Sequence, residues 1–328
     1  MKAVRFSLIV LFFLSFAAAF AAAGPLDPPT KNVKFAIEPA FDWAGPFSDG
    51  RASVKIDGRW GYINASGKLV IEAAFEEADP FREKKARVVS GGMVGFIGRS
   101  GNFVIEPTLD EAFSFSGGLA PARRNDRWGY IDTTGTFGIA PGFDWATSFD
   151  SGRAMVRSGG RWGYIDRTGA VVIGAAYGMA RPFSEGLAAV MSGGGWSYID
   201  TEGHTVIPGP FETAGKFSEG LAHVTDAAGR RIIDQTGKTV AGLPFEGAEG
   251  MGTSEWFSEG LMAVDRVMEV DFTNEETGPE GEAVTRTGYV DKTGAVVIDF
   301  VFEDAGPFAE GLAPVKTGGK WGYIAKPR

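Results

Sequence analysis

Short apolar runs, separated by turns rich in glycine and aspartate, follow one another along most of the chain. Three kinds of run recur: a Val-Ile run such as 68–71, a Leu-Ala-x-Val run such as 187–190, and an aromatic run such as 60–63. β-Branched and aromatic residues between turn residues are typical of strands, and no run keeps a helical period over ten residues. The pattern predicts an all-β fold.

The runs recur with a fixed period of 34 residues. One ruler is the phenylalanine that opens a Phe-Ser-Glu-Gly-like turn, at Phe47, Phe81, Phe115, Phe149, Phe183 and Phe217. A second ruler is the third residue of the aromatic run, which keeps steps of 34 at Tyr62, Phe96, Tyr130, Tyr164, Tyr198 and Ile232 and, after an irregular interval, again at Tyr289 and Tyr323. Because two independent rulers agree, we predict a tandem repeat of eight units of about 34 residues, each with three short strands.

The aromatic run defines the repeat most clearly. Alternate residues of a strand face opposite sides, so Trp60 and Tyr62 share one face while Gly61 and Ile63 share the other. Both faces are apolar, which predicts that neighbouring layers cover both of them. We expect the glycine to let the adjacent layer approach closely. The repeat-defining residues are Trp60, Gly61, Tyr62, Trp128, Gly129, Tyr130, Trp162, Gly163, Tyr164, Trp321, Gly322 and Tyr323.

An Asp-x-x-Gly element, such as Asp166 to Gly169, follows most aromatic runs. A short polar side chain can bond its own turn, and glycine accepts a positive φ. The element is therefore predicted to join the aromatic strand to the Val-Ile strand. The alternative is a ladder of calcium ions along the repeats, although calcium takes six to eight oxygens and each turn offers one carboxylate.

Repeats built on Arg-Trp-Gly-Tyr-Ile-Asp, with a Thr-Gly turn after them and Phe-Ser-Glu-Gly-Leu-Ala-x-Val before them, resemble the WG-repeat (KWG) family of bacterial proteins. The resemblance covers about residues 33–325 and implies a β-rich tandem repeat, but no particular activity. Arg230 and Arg231 replace the Trp-Gly pair in unit six, and Thr287 replaces the tryptophan in unit seven. A position that varies so freely is not a catalytic centre shared by every unit.

The phase of the repeat bears on whether the units close into a ring. The chain enters its first unit with residues 33–39, which match the end of a unit, and stops after the aromatic run 321–324. The eighth unit is complete only if residues 34–37 pair with 321–324. This phase favours a closed, propeller-like ring over an open β-solenoid.

The first residues have the pattern of a secretory signal peptide. Lys2 and Arg5 precede an apolar run and a small-residue exit at 21–23, so we predict cleavage after residue 23 and export to the periplasm or beyond. The alternative is an uncleaved anchor. We expect a short linker at 24–32 and a single repeat domain at 33–328, with no membrane contact after cleavage.

The composition limits the chemistry. There is no cysteine, which excludes disulfides and thiolate metal sites, and the net charge of -9 gives no footprint for nucleic acid. His204 and His223, the only histidines, lie in different units without a metal or Ser-His-Asp motif. We predict no catalytic, cofactor-binding or metal-ligating residues, and a monomer.

The seventh unit is irregular. Six extra residues precede Phe257, and seventeen more separate it from Tyr289, within an acidic insertion at 265–287. Insertions in repeats form loops that often mark the binding face. The two interpretations are a solvated hairpin without a partner and a contact loop for a basic partner or a cation. The candidate contact residues are Arg230, Arg231, Trp256, Glu275, Glu276, Glu280 and Glu282.

Taken alone, the sequence predicts an exported, non-catalytic module that binds or scaffolds a protein partner. One alternative is a module for cell-wall or other glycans, in which Trp43, Trp145 and Trp256, outside the Trp-Gly position, offer exposed rings. The other alternative is a hydrolase with an unrecognised site.

Overall fold

A computed structural model of the chain describes residues 34–242, 256–269 and 283–327. All regular structure in these residues is β-strand, and none of it is a helix long and apolar enough to cross a membrane. The strands form eight small antiparallel sheets, the blades of an eight-bladed β-propeller. The predicted all-β tandem repeat is therefore confirmed. The predicted signal peptide and linker lie outside the described residues.

Each blade is a meander whose strands pair in chain order. Blades one to four contain Trp43–Ala44, Ala52–Ile56, Arg59–Ile63 and Leu69–Phe75; Glu77–Ala78, Lys85–Ser90, Met93–Gly98 and Phe103–Leu109; Glu111–Ala112, Ala120–Arg124, Arg127–Ile131 and Phe137–Phe143; Trp145–Ala146, Ala154–Ser158, Arg161–Ile165 and Val171–Tyr177. Blades five to eight contain Met179–Ala180, Ala188–Ser192, Gly195–Ile199 and Thr205–Phe211; Thr213–Ala214, Leu221–Asp226, Gly229–Asp234 and Thr239–Gly242; Leu261–Glu269, Ala283–Asp291 and Val296–Phe302; Asp304–Ala305, Leu312–Thr317, Lys320–Ala325 and Phe35–Phe41.

Among the described residues, the three strands predicted for each unit are present, and every blade but the seventh has a further strand at its start. In blade four this first strand is Trp145–Ala146, which pairs with Arg157 and Val156 of the second strand. Two residues are too few to show an alternating pattern. The sequence therefore gives no indication of this strand.

The ring closes through the first described strand. Phe35–Phe41 pairs with Lys320–Ala325 and supplies the fourth strand of blade eight. Phe47 of blade one packs in one buried cluster with Trp321 and Tyr323 of blade eight. The predicted pairing of the two ends, and the closed ring that follows from it, are confirmed.

The glycine of the aromatic run has a different role from the one predicted. A Cβ on Gly61 would lie 2.6 Å from the Ile71 carbonyl oxygen and 2.8 Å from the Ala73 nitrogen, both in the fourth strand of the same blade. That strand has a bulge between the partners of Trp60 and Tyr62. The close approach thus comes from a bulged neighbour within the sheet, not from the adjacent blade.

The tyrosine of the aromatic run joins its blade to the next. The Tyr164 ring lies 4.7 Å from the ring of Phe183 in blade five, and its hydroxyl donates to the Arg181 carbonyl oxygen at 2.8 Å. Burial raises the pKa of these hydroxyls, so they remain neutral donors. The same inter-blade bond is made by Tyr62, Tyr130, Tyr164, Tyr198, Tyr289 and Tyr323.

The turn between the first and second strands makes a second inter-blade contact. Glu185 has a φ of 54° and Gly186 a φ of 84°, which is the left-handed pair of a tight hairpin. The Glu185 carboxylate accepts from the backbone N–H groups of Glu219 and Gly220 in the next blade, at 2.6 and 2.8 Å. These bonds offset the cost of the left-handed glutamate. Equivalent bonds are accepted by Asp49, Glu83, Glu219, Glu259 and Glu310.

The Asp-x-x-Gly element closes the turn before the fourth strand, as predicted. Asp132 Oδ1 accepts from the Thr134 hydroxyl at 2.6 Å and from the N–H groups of Thr134 and Thr136 at 2.8 and 3.1 Å. These bonds, the hydroxyl first, hold the pKa of Asp132 below its usual value. Each such carboxylate serves its own turn, and the described residues contain no cluster of three or more metal-binding side chains.

Substitution of Gly163 by alanine tests the bulge. The new Cβ would lie 2.6 Å from the Ile173 carbonyl oxygen, so we expect a loss of about 1–3 kcal/mol in the free energy of unfolding, measured by urea denaturation. Gly174→Ala in the same blade is the control, because nothing lies within 4 Å of its added Cβ. Equal losses for the two variants would contradict this role.

The turn aspartates predict the stability of the protein in acid. A carboxyl group whose pKa is lower in the folded protein than in the unfolded chain stabilises the fold when the pH is above the unfolded pKa. This stabilisation is lost as the pH falls through the folded pKa. Thr hydroxyl bonds lower the pKa of Asp132, Asp166, Asp234 and Asp291 from 3.8. Stability should therefore decline below about pH 3.8.

The matched variant replaces these four aspartates by asparagine. Asn64 makes the same turn in blade one, accepting from the N–H groups of Ser66 and Lys68 at 3.1 and 3.0 Å. The variant should therefore fold, be less stable than the wild type near neutral pH because an amide oxygen is a weaker acceptor than a carboxylate, and show a shallower decline in thermal midpoint below pH 4. An unchanged pH profile would rule out these carboxyls as its source.

Candidate functional site

The two ends of the blades differ in what their side chains do. One end, the turn end, carries turns such as 184–187 and 166–169, whose side chains repeat the hydrogen bonds described above. The other end carries the hairpin between the second and third strands and the first residue of the first strand. We call it the tryptophan face, after Trp43 and Trp145, which are 39% and 38% exposed.

Residues on the tryptophan face change from blade to blade. The first strand begins with a different kind of residue in different blades: Trp43, Glu77, Glu111, Trp145, Met179, Thr213 and Asp304. Its second residue is always alanine: Ala44, Ala78, Ala112, Ala146, Ala180, Ala214 and Ala305. Packing between blades explains the alanines. It does not require a tryptophan at the preceding position, because glutamate, methionine, threonine and aspartate also serve there.

Trp43 belongs to a cluster of three tryptophans across the closure of the ring. Its ring centroid lies 4.9 Å from that of Trp60 in the same blade and 6.1 Å from that of Trp321 in blade eight. Lys55 pairs with Trp43 across the first two strands, and its Nζ lies 5.8 Å from the Trp60 ring centroid. An exposed ring thus stands beside a cation.

A buried hydroxyl lies beneath this cluster. A Cβ on Gly45 would lie 2.8 Å from Ser53 Oγ and 2.9 Å from the Trp43 ring, so the hydroxyl and the ring meet above the glycine. Ser53 is 1% exposed, and its oxygen has no hydrogen-bond partner among the described residues. A buried hydroxyl without a partner is costly to the fold.

Trp145 forms a second cluster between blades three and four. Its ring lies 5.0 Å from Trp128 and 5.6 Å from Phe113, and those two rings stack at 4.9 Å. Arg157 pairs with Trp145 across the first two strands and lies 5.8 Å from the Trp162 ring. The cation stands opposite the exposed ring and near a second tryptophan, as in blade one, but Trp145 contacts Trp128 of blade three, whereas Trp43 contacts Trp60 of its own blade.

The sequence alone overlooked the cations of these clusters. Trp43, Lys55 and Trp60 each recur 102 residues later, or three units, as Trp145, Arg157 and Trp162. Alignment of the units position by position would have revealed the recurrence. The register adds that Lys55 and Arg157 lie directly opposite the exposed rings.

Arg230 and Arg231 lie in the third strand of blade six. Arg231 forms a two-pronged ion pair with Asp226, at 2.5 and 2.6 Å, and this bond lowers the pKa of Asp226. Arg231 stands in the place of the glycine of other aromatic runs, and in the strand register it pairs with Gly242 of the fourth strand. The Arg231 guanidinium, which was predicted to contact a partner, is therefore paired with Asp226 of its own blade.

Blade seven carries the predicted insertions. Its strands Leu261–Glu269 and Ala283–Asp291 have nine residues each and extend past their counterparts at the tryptophan face. Trp256 is half-buried, with Lys216 Nζ 3.5 Å from its ring centroid. The extra residues before Phe257, and the remaining predicted contact residues, lie outside the described part of the chain: Glu275, Glu276, Glu280 and Glu282.

Arg87 lies close to two carboxylates in blade two. Burial raises the pKa of Asp79, while Arg87 at 3.5 Å opposes the shift. Arg87 also contacts Glu77 at 2.9 Å. His204 lies 3.1 Å from Asp200 at the turn end, whereas His223 packs against Gly215 in blade six.

The fold and the repeated clusters define a tandem-repeat β-propeller with an aromatic face. The sequence profile of the WG containing repeat family matches residues 31–60, 60–93, 95–128, 128–162, 162–196, 196–225 and 288–321. The chain belongs to this family, as its aromatic runs indicated. No curated protein matches the sequence.

Several solved structures resemble the propeller at low sequence identity. The crystal structure of the eukaryotic initiation factor is 10% identical, with a TM-score of 0.51, over 86% of this chain and 83% of that one. Hsv2p of Kluyveromyces lactis is 11% identical, with a TM-score of 0.44, over 77% and 99%. The dihydro-heme d1 dehydrogenase NirN is 13% identical, with a TM-score of 0.43, over 87% and 66%. Such likenesses concern the fold alone.

Alanine substitutions should separate the structural tryptophans from the exposed ones. Trp128 is 2% exposed, so Trp128→Ala should lower the free energy of unfolding by about 3–5 kcal/mol. Trp145→Ala should cost about 1 kcal/mol, since much of its ring already faces water. Urea denaturation measures both, and similar losses would make Trp145 a core residue.

Proposed function

We propose that this protein is an exported, non-catalytic module that binds a glycan on its tryptophan face. The observation that carries the proposal is the pair of exposed tryptophans, Trp43 and Trp145, each set among further aromatic rings. A repeat propeller is compatible with such a binding module. Export rests on the sequence pattern of residues 1–23.

Position and exposure together support binding at these tryptophans. A single exposed apolar residue needs no explanation, but here the exposed rings stand where other blades carry Glu77, Met179 or Asp304. Each ring is held by aromatic neighbours, so little conformational freedom is lost when a ligand covers it. These are the properties of a preformed contact surface.

A sugar is the ligand class that these side chains fit best. A pyranose ring has an apolar face that can lie against an aromatic ring, and its hydroxyl groups need hydrogen-bond partners. In blade one Lys55 can donate to such groups, and in blade four Arg157 can do so. A flat apolar ligand would leave both cations unmatched.

A protein partner is the second candidate function, carried by a different observation. The strands Leu261–Glu269 and Ala283–Asp291 of blade seven extend at the same face, and the acidic insertion, residues 265–287, comprises the ends of both strands and the residues between them in the sequence. Its carboxylates would attract a basic partner, more strongly at low salt than at high salt. If so, deletion of 270–282 should abolish capture of that partner and leave glycan retention unchanged.

The glycan proposal is tested by retention on insoluble polysaccharides and on isolated peptidoglycan. The wild-type protein should be retained on at least one of them, and the W43A/W145A double variant should be retained at least tenfold less, because the stacking surfaces are gone. Met179→Ala is the matched control, since Met179 is 51% exposed at the equivalent position of blade five. Absence of wild-type retention, or equal retention of the double variant, would refute the proposal.

A further inference from the structure

The two tryptophan clusters share a cation as well as an exposed ring. In blade one the set is Trp43, Lys55 and Trp60, and in blade four it is Trp145, Arg157 and Trp162. In both sets the cation lies opposite the exposed ring in the strand register. Its charged group stands 5.8 Å from the centroid of the second tryptophan.

Other blades with a cation at this place put an acid opposite it. In blade three Arg123 pairs with Glu111, at 3.1 Å. In blade eight Lys316 lies opposite Asp304 in the strand register. Blades one and four replace that acid by tryptophan. Within the described residues, neither Lys55 nor Arg157 has a carboxylate at ion-pair distance.

We propose that each set is a subsite for a sugar that carries a carboxylate, such as a uronic acid. The apolar face of the sugar lies on Trp43 or Trp145, and its carboxylate takes the place of the missing acid beside Lys55 or Arg157. This inference rests on the proposed glycan function and adds the charge of the ligand.

The two subsites are not identical, and the difference predicts their relative strength. In the first subsite Trp43 is backed by Trp60 and Trp321, whereas in the second Trp145 is backed by Trp128 and Phe113. Arg157 in the second subsite can bind a carboxylate with two parallel hydrogen bonds, which Lys55 cannot. A polymer that reaches both subsites gains affinity over a short oligomer, which reaches only one.

The net negative charge of the chain opposes non-specific binding of acidic polymers. At -9 the protein repels polyanions at long range. Binding of an acidic polymer therefore reports local contacts rather than a general basic surface.

The test compares acidic polymers with neutral forms of the same backbone. Polygalacturonate, alginate and hyaluronate are each measured beside their carboxyl-reduced forms by affinity electrophoresis of the full mature chain. We expect at least one acidic polymer to bind tenfold or more tighter than its reduced form. In the K55Q/R157Q double variant this preference should disappear, while W43A/W145A should lose binding to both forms.

Lys316→Gln is the matched control, because Lys316 holds the equivalent position in blade eight and faces Asp304. It should leave the preference unchanged, and urea denaturation should show that all variants remain folded. Single K55Q and R157Q variants should each reduce polymer affinity at least fivefold if both subsites are engaged.

The outcomes separate this inference from the proposed function. Equal binding of acidic and reduced polymers, lost in W43A/W145A, would overturn the carboxylate subsites and leave a neutral glycan module. Failure of every polymer to bind in either form would count against both. A preference that survives in K55Q/R157Q would place the carboxylate elsewhere and overturn the assignment to these cations.

Discussion

The contact on which the fold depends is the packing of one buried aromatic side chain against the next blade. Tyr323 of blade eight lies 5.1 Å from Phe47 of blade one and donates to the Gly45 carbonyl oxygen. Tyr164 makes the equivalent contact between blades four and five. Because the blades are apolar on both faces, none can bury itself alone. The fold is therefore stable only when every seam, that is, every interface between neighbouring blades, is packed, including the seam that closes the ring.

This constraint separates the molecule into two ends. At the turn end, the side chain that follows the phenylalanine-serine pair bonds the next blade, as Glu185 bonds Glu219 and Gly220, and these positions are fixed by assembly. At the tryptophan face no such bond has to be repeated, so Trp43, Glu77 and Met179 can occupy equivalent positions. Because packing between blades does not fix the residue type at these positions, they can carry side chains suited to a ligand.

Much of the fold follows from the sequence because each seam repeats the same side chains at the same spacing. The period, the closing pair of strands and the aspartate turns all depend on such residues. The two-residue first strand escapes detection because it is too short to show a pattern. The role of Gly61 could not be predicted because the bulge in the paired strand depends on the strand register, which the residues around Gly61 do not reveal. Lys55 and Arg157 were missed as candidate site residues because they become notable only when the strand register places Trp43 and Trp145 opposite them.

Residues that depart from the repeat consensus fall into two groups: those for which the structure supplies an interacting side chain, and those for which it does not. Arg231 replaces a glycine that most other blades carry, and Asp226 neutralises its charge. The structure thus supplies a partner for this cation within its own blade. Two other blades place an acid opposite the cation at this position, Glu111 opposite Arg123 and Asp304 opposite Lys316, whereas blades one and four place a tryptophan there. An exposed ring beside a cation that has no carboxylate at ion-pair distance among the described residues occurs twice, three blades apart. It is therefore more informative about a ligand than the rarer letters of blade six.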